Sequence, residues 1–293
     1  MTPAETGADA AARTRLTLGI SPCPNDVYIF AGVILGRIDT GGLGFDVDYQ
    51  DVETLNGAAR ERAAYDVVKI SYANAVHVER EYELLDCGGA LGRGVGPLLL
   101  VNGADGGDFD PACEEVLVPG EYTTANFLLD FYLGRPVRKR FVPFDVLYAE
   151  LCNRPGAQGV VIHEKRFTYA ADGLTLVRDL GEHWEGRTGF AIPLGCIAVR
   201  RGIADVPAER IARVVRASLA WADANPGETF DLCRRYAQDL TDGVIQSHID
   251  LYVNEYSRDL GPEGAAAVAH FLGEQRRLRA AGRSGISQGG SIQ

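Results

Sequence analysis

Residues 16–30, LTLGISPCPNDVYIF, constrain the fold more than any other stretch. A short apolar run ends in Gly19 and Ile20, two prolines bracket Cys23, and Asn25 and Asp26 stand where a helix would begin. Pro22 and Pro24 fix φ and stiffen the turn, while Asn25 or Asp26 can cap a following helix by accepting from its free N–H groups. The stretch reads as a first β-strand turning sharply into a first α-helix. Such a turn lies at the carboxyl end of a strand, where ligands bind in open α/β sheets because loops and helix N-termini converge there. The same residues also satisfy a plain tight turn with no ligand.

The alternation continues downstream. Residues 27–35 form an apolar helix stopped by Gly36, and 45–49 (FDVDY) alternate as a strand with one wet face. Residues 51–64 hold helical spacing at Leu55, Ala58, Ala59 and Arg62, and 66–71 (DVVKIS) make a short strand with Lys69 near its end. This order predicts a parallel or mixed sheet covered by helices. Residues 72–83 read as a helix. Gly88, Gly89, Gly92, Gly94, Gly96 and Gly103 then surround the apolar strand 97–101. No GxxxxGK[ST] phosphate loop is present, so this run reads as a link from one unit to another.

A second unit begins with a strand at 116–119, and Pro119-Gly120 turns into a helix over 122–133. Thr123 or Thr124 falls at that helix start, where hydroxyl and N–H groups can hold an anion, or serve as a simple cap. A strand at 139–143, a helix at 145–152 and a strand at 159–162 follow, the last ending in His163. A histidine at the mouth of a sheet is placed for proton transfer, though the same residue also suits a structural role. The strand within 189–200 returns the chain to the first unit, with Trp184 and Phe190 as core or pocket wall. Residues 207–279 are helical, broken at Asn225-Pro226-Gly227 and Thr241-Asp242-Gly243, and His248 and His270 inside them read as solvated or packing residues.

Residues 16–102 with 195–281 thus make a larger, discontinuous α/β domain and 103–194 a smaller one, between tails at 1–15 and 282–293 that read as disordered. Two crossings, at 97–104 and 190–196, suit hinge closure on a ligand. Residues 69–71, 123–125 and His163 would then line one cleft, the layout of a bilobed ligand-binding protein.

Composition narrows the partners. A net charge of −11 argues against nucleic acid and anionic membranes, while local N–H dipoles and a lysine can still hold a small anion. No apolar stretch approaches the roughly 20 residues that span a bilayer, and the amino terminus has no signal-peptide core, which points to a cytoplasmic enzyme. Cys23, Cys87, Cys113, Cys152, Cys196 and Cys233 form no CxxC pair and no Cys/His cluster, so they read as reduced thiols with no metal site. With no nicotinamide or phosphate motif either, no cofactor is expected.

Taken together, SPCPNDVYIF, DVETLN, VVKISYANAV, GGALGRGVGPLL, PGEYTTANFLL, VVIHEKRFTY and TGFAIPLGCIAVRR closely resemble the 1,4-dihydroxy-6-naphthoate synthases of the futalosine route to menaquinone, over residues 16–275. The resemblance implies an α/β, two-domain fold like the type II periplasmic binding proteins, with a cleft between the domains. It implies a carbon–carbon lyase that converts cyclic dehypoxanthinyl futalosine, a small aromatic carboxylate, to 1,4-dihydroxy-6-naphthoate. It places the proton acceptor on His163 and substrate contacts on Lys69, Ile70, Ser71, Thr124 and Ala125, with Ile70 and Ala125 acting through the backbone. Two alternatives share the cleft: a non-catalytic module for a small carboxylate, and a chorismate dehydratase-like enzyme. A thiol enzyme at Cys23 is disfavoured because no histidine lies near it in sequence.

Overall fold

The computed structural model describes residues 14–103, 115–135, 137–203, 206–237 and 240–286. The chain opens with β1 (Thr14–Ile20), in which Leu16, Leu18 and Ile20 are buried. Thr14 and Arg15, expected in the tail, pair with Leu43 and Gly44; residues 1–13 lie outside the described residues. Pro24 then opens α1 (Pro24–Ile29), and a break at Phe30 (φ −96°, ψ 9°) separates it from α2 (Ala31–Ile34). The apolar run 27–35 is therefore two short helices, not one. Cys23 occupies the cap position, and Asn25 and Asp26 fall inside the first turn. Pro24 can take the start because a first helical turn leaves its N–H groups unpaired anyway.

Next come β2 (Leu43–Tyr49), α3 (Val52–Arg62) and β3 (Val67–Ser71). Asp51 caps α3, its carboxylate accepting from the Glu53 N–H at 2.8 Å. α4 (Tyr72–Val78) is shorter than the helix expected over 72–83, because the chain re-enters the sheet as β4 (Tyr82–Leu84). Burial decides this: the Tyr82 ring is buried and its hydroxyl donates to the Tyr65 carbonyl at 2.9 Å. β5 (Ala90–Gly92) and β6 (Leu98–Val101) follow.

The second half contains β7 (Val116–Val118), α5 (Thr124–Leu133), β8 (Lys139–Phe141), α6 (Phe144–Asn153) and β9 (Gln158–Val161). A 3-10 turn (His163–Phe167), β10 (Thr175–Asp179), α7 (Leu180–Thr188) and β11 (Ile192–Arg200) complete it. The remaining helices are α8 (Ala208–Ala224), α9 (Pro226–Tyr236), α10 (Asp242–Tyr252), α11 (Glu255–Arg258) and α12 (Gly261–Ile286). Besides the two expected breaks there are two more, one at Asn254, where Asn254 and Ser257 form a reciprocal capping box, and one at Asp259–Leu260 before α12. α12 runs into the stretch expected to be a tail, and residues 287–293 lie outside the described residues.

Two mixed sheets result. The first has the order β2-β1-β3-β11-β4, with β5 also paired to β11; β2, β1 and β3 are parallel and β11 runs against them. The second has the order β10-β6-β9-β7-β8, with β7 parallel to β8 and β9. The chain leaves the first sheet after Gly92, enters the second at Leu98 and returns at Ile192. β6, which precedes the expected boundary at 102, pairs in the second sheet because its backbone meets β9 and β10. The glycine-rich segment before it makes the crossing. There Gly96 lies so close to Gly181 that a Cβ on Gly96 would stand 2.3 Å from the Gly181 Cα.

One apolar core joins both sheets. Val68 and Ile70 of β3, Leu99 of β6, Val116 of β7, Leu128 of α5, Val160 of β9 and Phe271 of α12 belong to it, with Trp184 fully buried among them. The Trp184 ring meets Phe127 and Phe271 edge-on at 6.0 and 5.4 Å, so the tryptophan is core, and His270 packs against it and stacks on Phe190. Cys87, Cys196 and Cys233 are buried free thiols, Cys23 and Cys152 are half-buried, and Cys113 lies outside the described residues. Among the described residues no helix is long and apolar enough to cross a membrane.

Candidate active site

Four strand ends converge on one place. Because β1 and β3 are parallel neighbours, their carboxyl ends, Ile20 and Ser71, open on the same side of the first sheet. β7 and β9 are likewise parallel, and deliver Thr123–Ala125 and His163. Between these ends lies a concave cavity, of about 720 Å³ when the open solvent at its mouth is counted. Lys69, Ser71, Thr124, Ala125 and His163 all line it. Ile70 does not: its side chain is fully buried in the core behind the cavity wall.

Lys69 is 4% exposed and pairs at 2.5 Å with Asp26, itself 1% exposed. A buried ammonium beside apolar residues requires such a partner, because desolvating an unpaired charge is prohibitive. Asp26 also accepts from the Ser21 hydroxyl at 2.7 Å, the Ser21 N–H at 3.2 Å and the Asn25 amide at 2.8 Å. Its carboxylate is therefore engaged in anchoring Lys69 at the cavity wall, from a position inside the first turn and not at the cap.

Asn56 fixes the neighbouring Ser71 from both sides, accepting from its N–H at 2.9 Å and donating to its Oγ at 3.1 Å. The Ser71 hydroxyl proton is left to donate. On the opposite wall, Thr123 caps α5: its Oγ accepts from the Asn126 N–H at 3.2 Å and donates to the Gly120 carbonyl at 2.8 Å. The Thr124 hydroxyl donates to the Leu194 carbonyl at 2.9 Å and accepts from the Ala73 N–H at 3.4 Å, so it ties the second unit to the first. Both hydroxyls are thus spent on structure. What this helix start offers a ligand is the first-turn N–H groups of Thr124 and Ala125, at the positive end of the helix.

His163 is half-buried at the exit from β9 with a left-handed backbone, φ 57°. Such a conformation is uncommon outside glycine and concentrates where surrounding structure imposes it. Phe144 packs edge-on against the ring at 5.2 Å, and the Cys23 Sγ lies 3.5 Å from Nδ1. Burial, the largest influence, opposes the imidazolium, but the charge interaction and hydrogen bond with the Cys23 sulphur, with Glu164 and Asp51 behind them, outweigh burial and push the ring up to about 9. Without that sulphur, burial would favour the neutral ring.

Cavity residues beyond the site residues named from the sequence are Ser21, Asn25 and Asp26, in the turn already expected at a ligand-binding strand end, and Arg166, His248 and Tyr252. Arg166 donates to the Gly96 carbonyl and pairs with Asp179 at 3.3 Å, which locks the crossing segment beside the cavity. One signal was available. Lys69 between buried valine and isoleucine on an internal strand demanded a carboxylate, and Asp26 follows the neighbouring strand. Nothing local could pair Cys23 with His163, or bring His248, expected to be a solvated or packing residue, to the cavity. Among the described residues no group of His, Cys, Asp and Glu is placed to hold a metal ion.

Comparison with known proteins gives this cavity its context. The model of a menaquinone biosynthesis family matches residues 16–276. The chain belongs to that family. A 1,4-dihydroxy-6-naphthoate synthase of Thermus thermophilus is 42% identical over 265 residues, covering 88% of this chain and 93% of that protein. The synthase of Streptomyces coelicolor is 40% identical over 262 residues, covering 88% and 91%. Among solved structures, an Archaeoglobus fulgidus protein superposes with a TM-score of 0.83 at 28% identity, covering 91% of this chain and 98% of that one. The periplasmic aliphatic sulphonate-binding protein of Escherichia coli superposes at 0.63 with 10% identity, covering 92% and 87%. The fold is accordingly that of the periplasmic binding proteins, as the sequence resemblance implied.

Proposed function

We propose that this chain is a carbon–carbon lyase that releases 1,4-dihydroxy-6-naphthoate from cyclic dehypoxanthinyl futalosine in menaquinone biosynthesis, with His163 as general base. One observation carries the reading: a histidine with a sulphur partner faces, across a single cavity, a set of groups suited to a carboxylate. Lys69, the Ser71 hydroxyl and the Thr124 and Ala125 N–H groups hold the aromatic carboxylate. His163 takes a proton from a substrate hydroxyl or acidic carbon, the carbon–carbon bond breaks, and aromatisation of the naphthalene drives the step. For its far nitrogen to act as base, Nδ1 carries the ring proton and donates it to the Cys23 sulphur. The sulphur then supports the positive charge that arrives on the ring, as an acidic partner does for a catalytic imidazole. The enzyme acts on a small molecule, and neither nucleic acid nor membrane takes part in this reading.

The test is incubation of purified protein with cyclic dehypoxanthinyl futalosine and mass detection of the product, with His163→Ala alongside. Wild type is expected to release dihydroxynaphthoate, and the variant to lose roughly 100-fold or more in rate, the usual worth of a positioned base. Release that survives in the variant removes His163 from the mechanism. A folded wild type that yields nothing leaves the cavity as a carboxylate-binding module.

A further inference from the structure

We infer that His248, on α10, contacts the substrate directly and recognises a neutral hydroxyl group on it; the inference rests on the function proposed above. Four observations lead there. His248 lines the cavity although it is 1% exposed, and α10 belongs to neither sheet. Its Nδ1 is buried with no hydrogen-bond partner. Of the other polar side chains lining the same cavity, Asp26 is committed to Lys69, Ser21 and Asn25, the two threonine hydroxyls to backbone, and Arg166 to Gly96 and Asp179. Tyr252, one turn further along α10, meets the imidazole edge-on at 4.7 Å and holds its plane.

An unpartnered buried polar atom destabilises the fold, so the free protein carries a penalty here that a ligand group can relieve. The chemistry of that group follows from the charge on the ring. Burial foremost, with the nearby His163 and Lys69 charges, pushes His248 down to about 3, so the ring is neutral across the physiological range. The unpartnered Nδ1 of a neutral imidazole either accepts or donates one hydrogen bond depending on the tautomer, and a hydroxyl, which can do both, satisfies it in either case. The ring offers a carboxylate only a single neutral donor, and the opposite wall already provides for that group with Lys69, Ser71 and the start of α5. His248 therefore addresses the hydroxyl-bearing part of the substrate and sets its orientation relative to His163.

The experiment compares wild type, His248→Phe and His248→Gln in steady-state turnover of cyclic dehypoxanthinyl futalosine, together with thermal melts and calorimetric titration with 1,4-dihydroxy-6-naphthoate. Phenylalanine keeps the ring volume and the Tyr252 contact but has no polar atom; His248→Leu carries the same test should the phenyl ring prevent folding. The apolar variant is expected to melt no lower than wild type while its KM rises about tenfold, the effect of one lost hydrogen bond. Glutamine, which restores a donor and an acceptor, recovers part of that loss. An apolar variant with wild-type KM and kcat overturns the inference, as does one whose only change is a lower melting temperature. A wild type that makes no product overturns the proposed function, and this inference with it.

Discussion

Asp26 is the residue on which the site geometry depends. Its carboxylate holds the buried Lys69 ammonium, fixes the turn after β1 through Ser21 and Asn25, and stands three residues from Cys23, the sulphur beside His163. A single turn therefore serves both walls of the cavity. The Cys23–His163 contact leads to a prediction about pH. A base works only when deprotonated, so with His163 pushed up to about 9 by the adjacent Cys23 sulphur, kcat/KM rises with pH through that region. Removing the sulphur in Cys23→Ala leaves burial as the dominant influence, and burial lowers the pKa of a histidine. The ascending limb of the pH–rate profile is expected to move to lower pH by roughly one unit or more, while its maximum falls as the ring loses its orienting partner. An unmoved limb would show that the sulphur does not set the protonation of His163.

At the scale of the element, α5 matters more for where it begins than for what it buries. Thr123 caps it from outside, Gly134 ends it in a left-handed conformation (φ 61°), and Phe127, Leu128 and Leu129 pack its inner face into the shared core. Thr124, the first helical residue, bonds across to Leu194 of β11, so the helix start is held by the other sheet. Thr123→Ala is expected to reduce stability by about 1 kcal/mol, as loss of a cap does. It is also expected to raise KM with little change in kcat, because the first-turn N–H groups lose their alignment while His163 is untouched. Denaturant unfolding and steady-state kinetics on the one variant check both effects, and an unchanged KM would detach the helix start from substrate binding.

For the whole molecule the decisive feature is the pair of crossings between sheets. They touch at Gly96 and Gly181, where the Leu180 N–H donates to the Pro97 carbonyl at 3.0 Å and Arg166 secures the Gly96 carbonyl. A Cβ on Gly96 would meet the Gly181 Cα at 2.3 Å and its N at 2.4 Å, both of them backbone atoms that cannot swing aside. Gly96→Ala is therefore expected to lower stability by roughly 1–3 kcal/mol, as overpacking does, and to reduce turnover by spreading the two walls of the cavity. Gly57, on α3, has nothing within 4 Å of its would-be Cβ. Gly57→Ala serves as the control and is expected to stabilise the protein by roughly 0.5–1 kcal/mol. Thermal melts and turnover of the two variants check the contrast, and equal behaviour would mean that the crossing tolerates slack.

What the sequence determined by itself was whatever short-range physics controls. The alternation of strand and helix, the Thr123 cap, the breaks at Asn225-Pro226-Gly227 and Thr241-Asp242-Gly243, and the placing of Ser71, Thr124 and His163 at element ends all follow from periodicity, proline, glycine and capping chemistry. These signals fixed which residues could face a ligand. They could not fix the order of strands, and the strand order decides the neighbours. β11 inserts against β3 from the far end of the chain, and that pairing closes the first sheet around Lys69. Cys23 and His163 are 140 positions apart and come from different sheets. Lys69 and Asp26 are 43 apart. His248 reaches the cavity from a helix in neither sheet, and its sequence surroundings are those of any packing histidine. Local propensity also misjudged residues 27–35, which break at Phe30, and 72–83, where the demand to bury Tyr82 overrode helical pattern. The chemistry depends on contacts of a few ångströms between distant segments, and only tertiary packing specifies those.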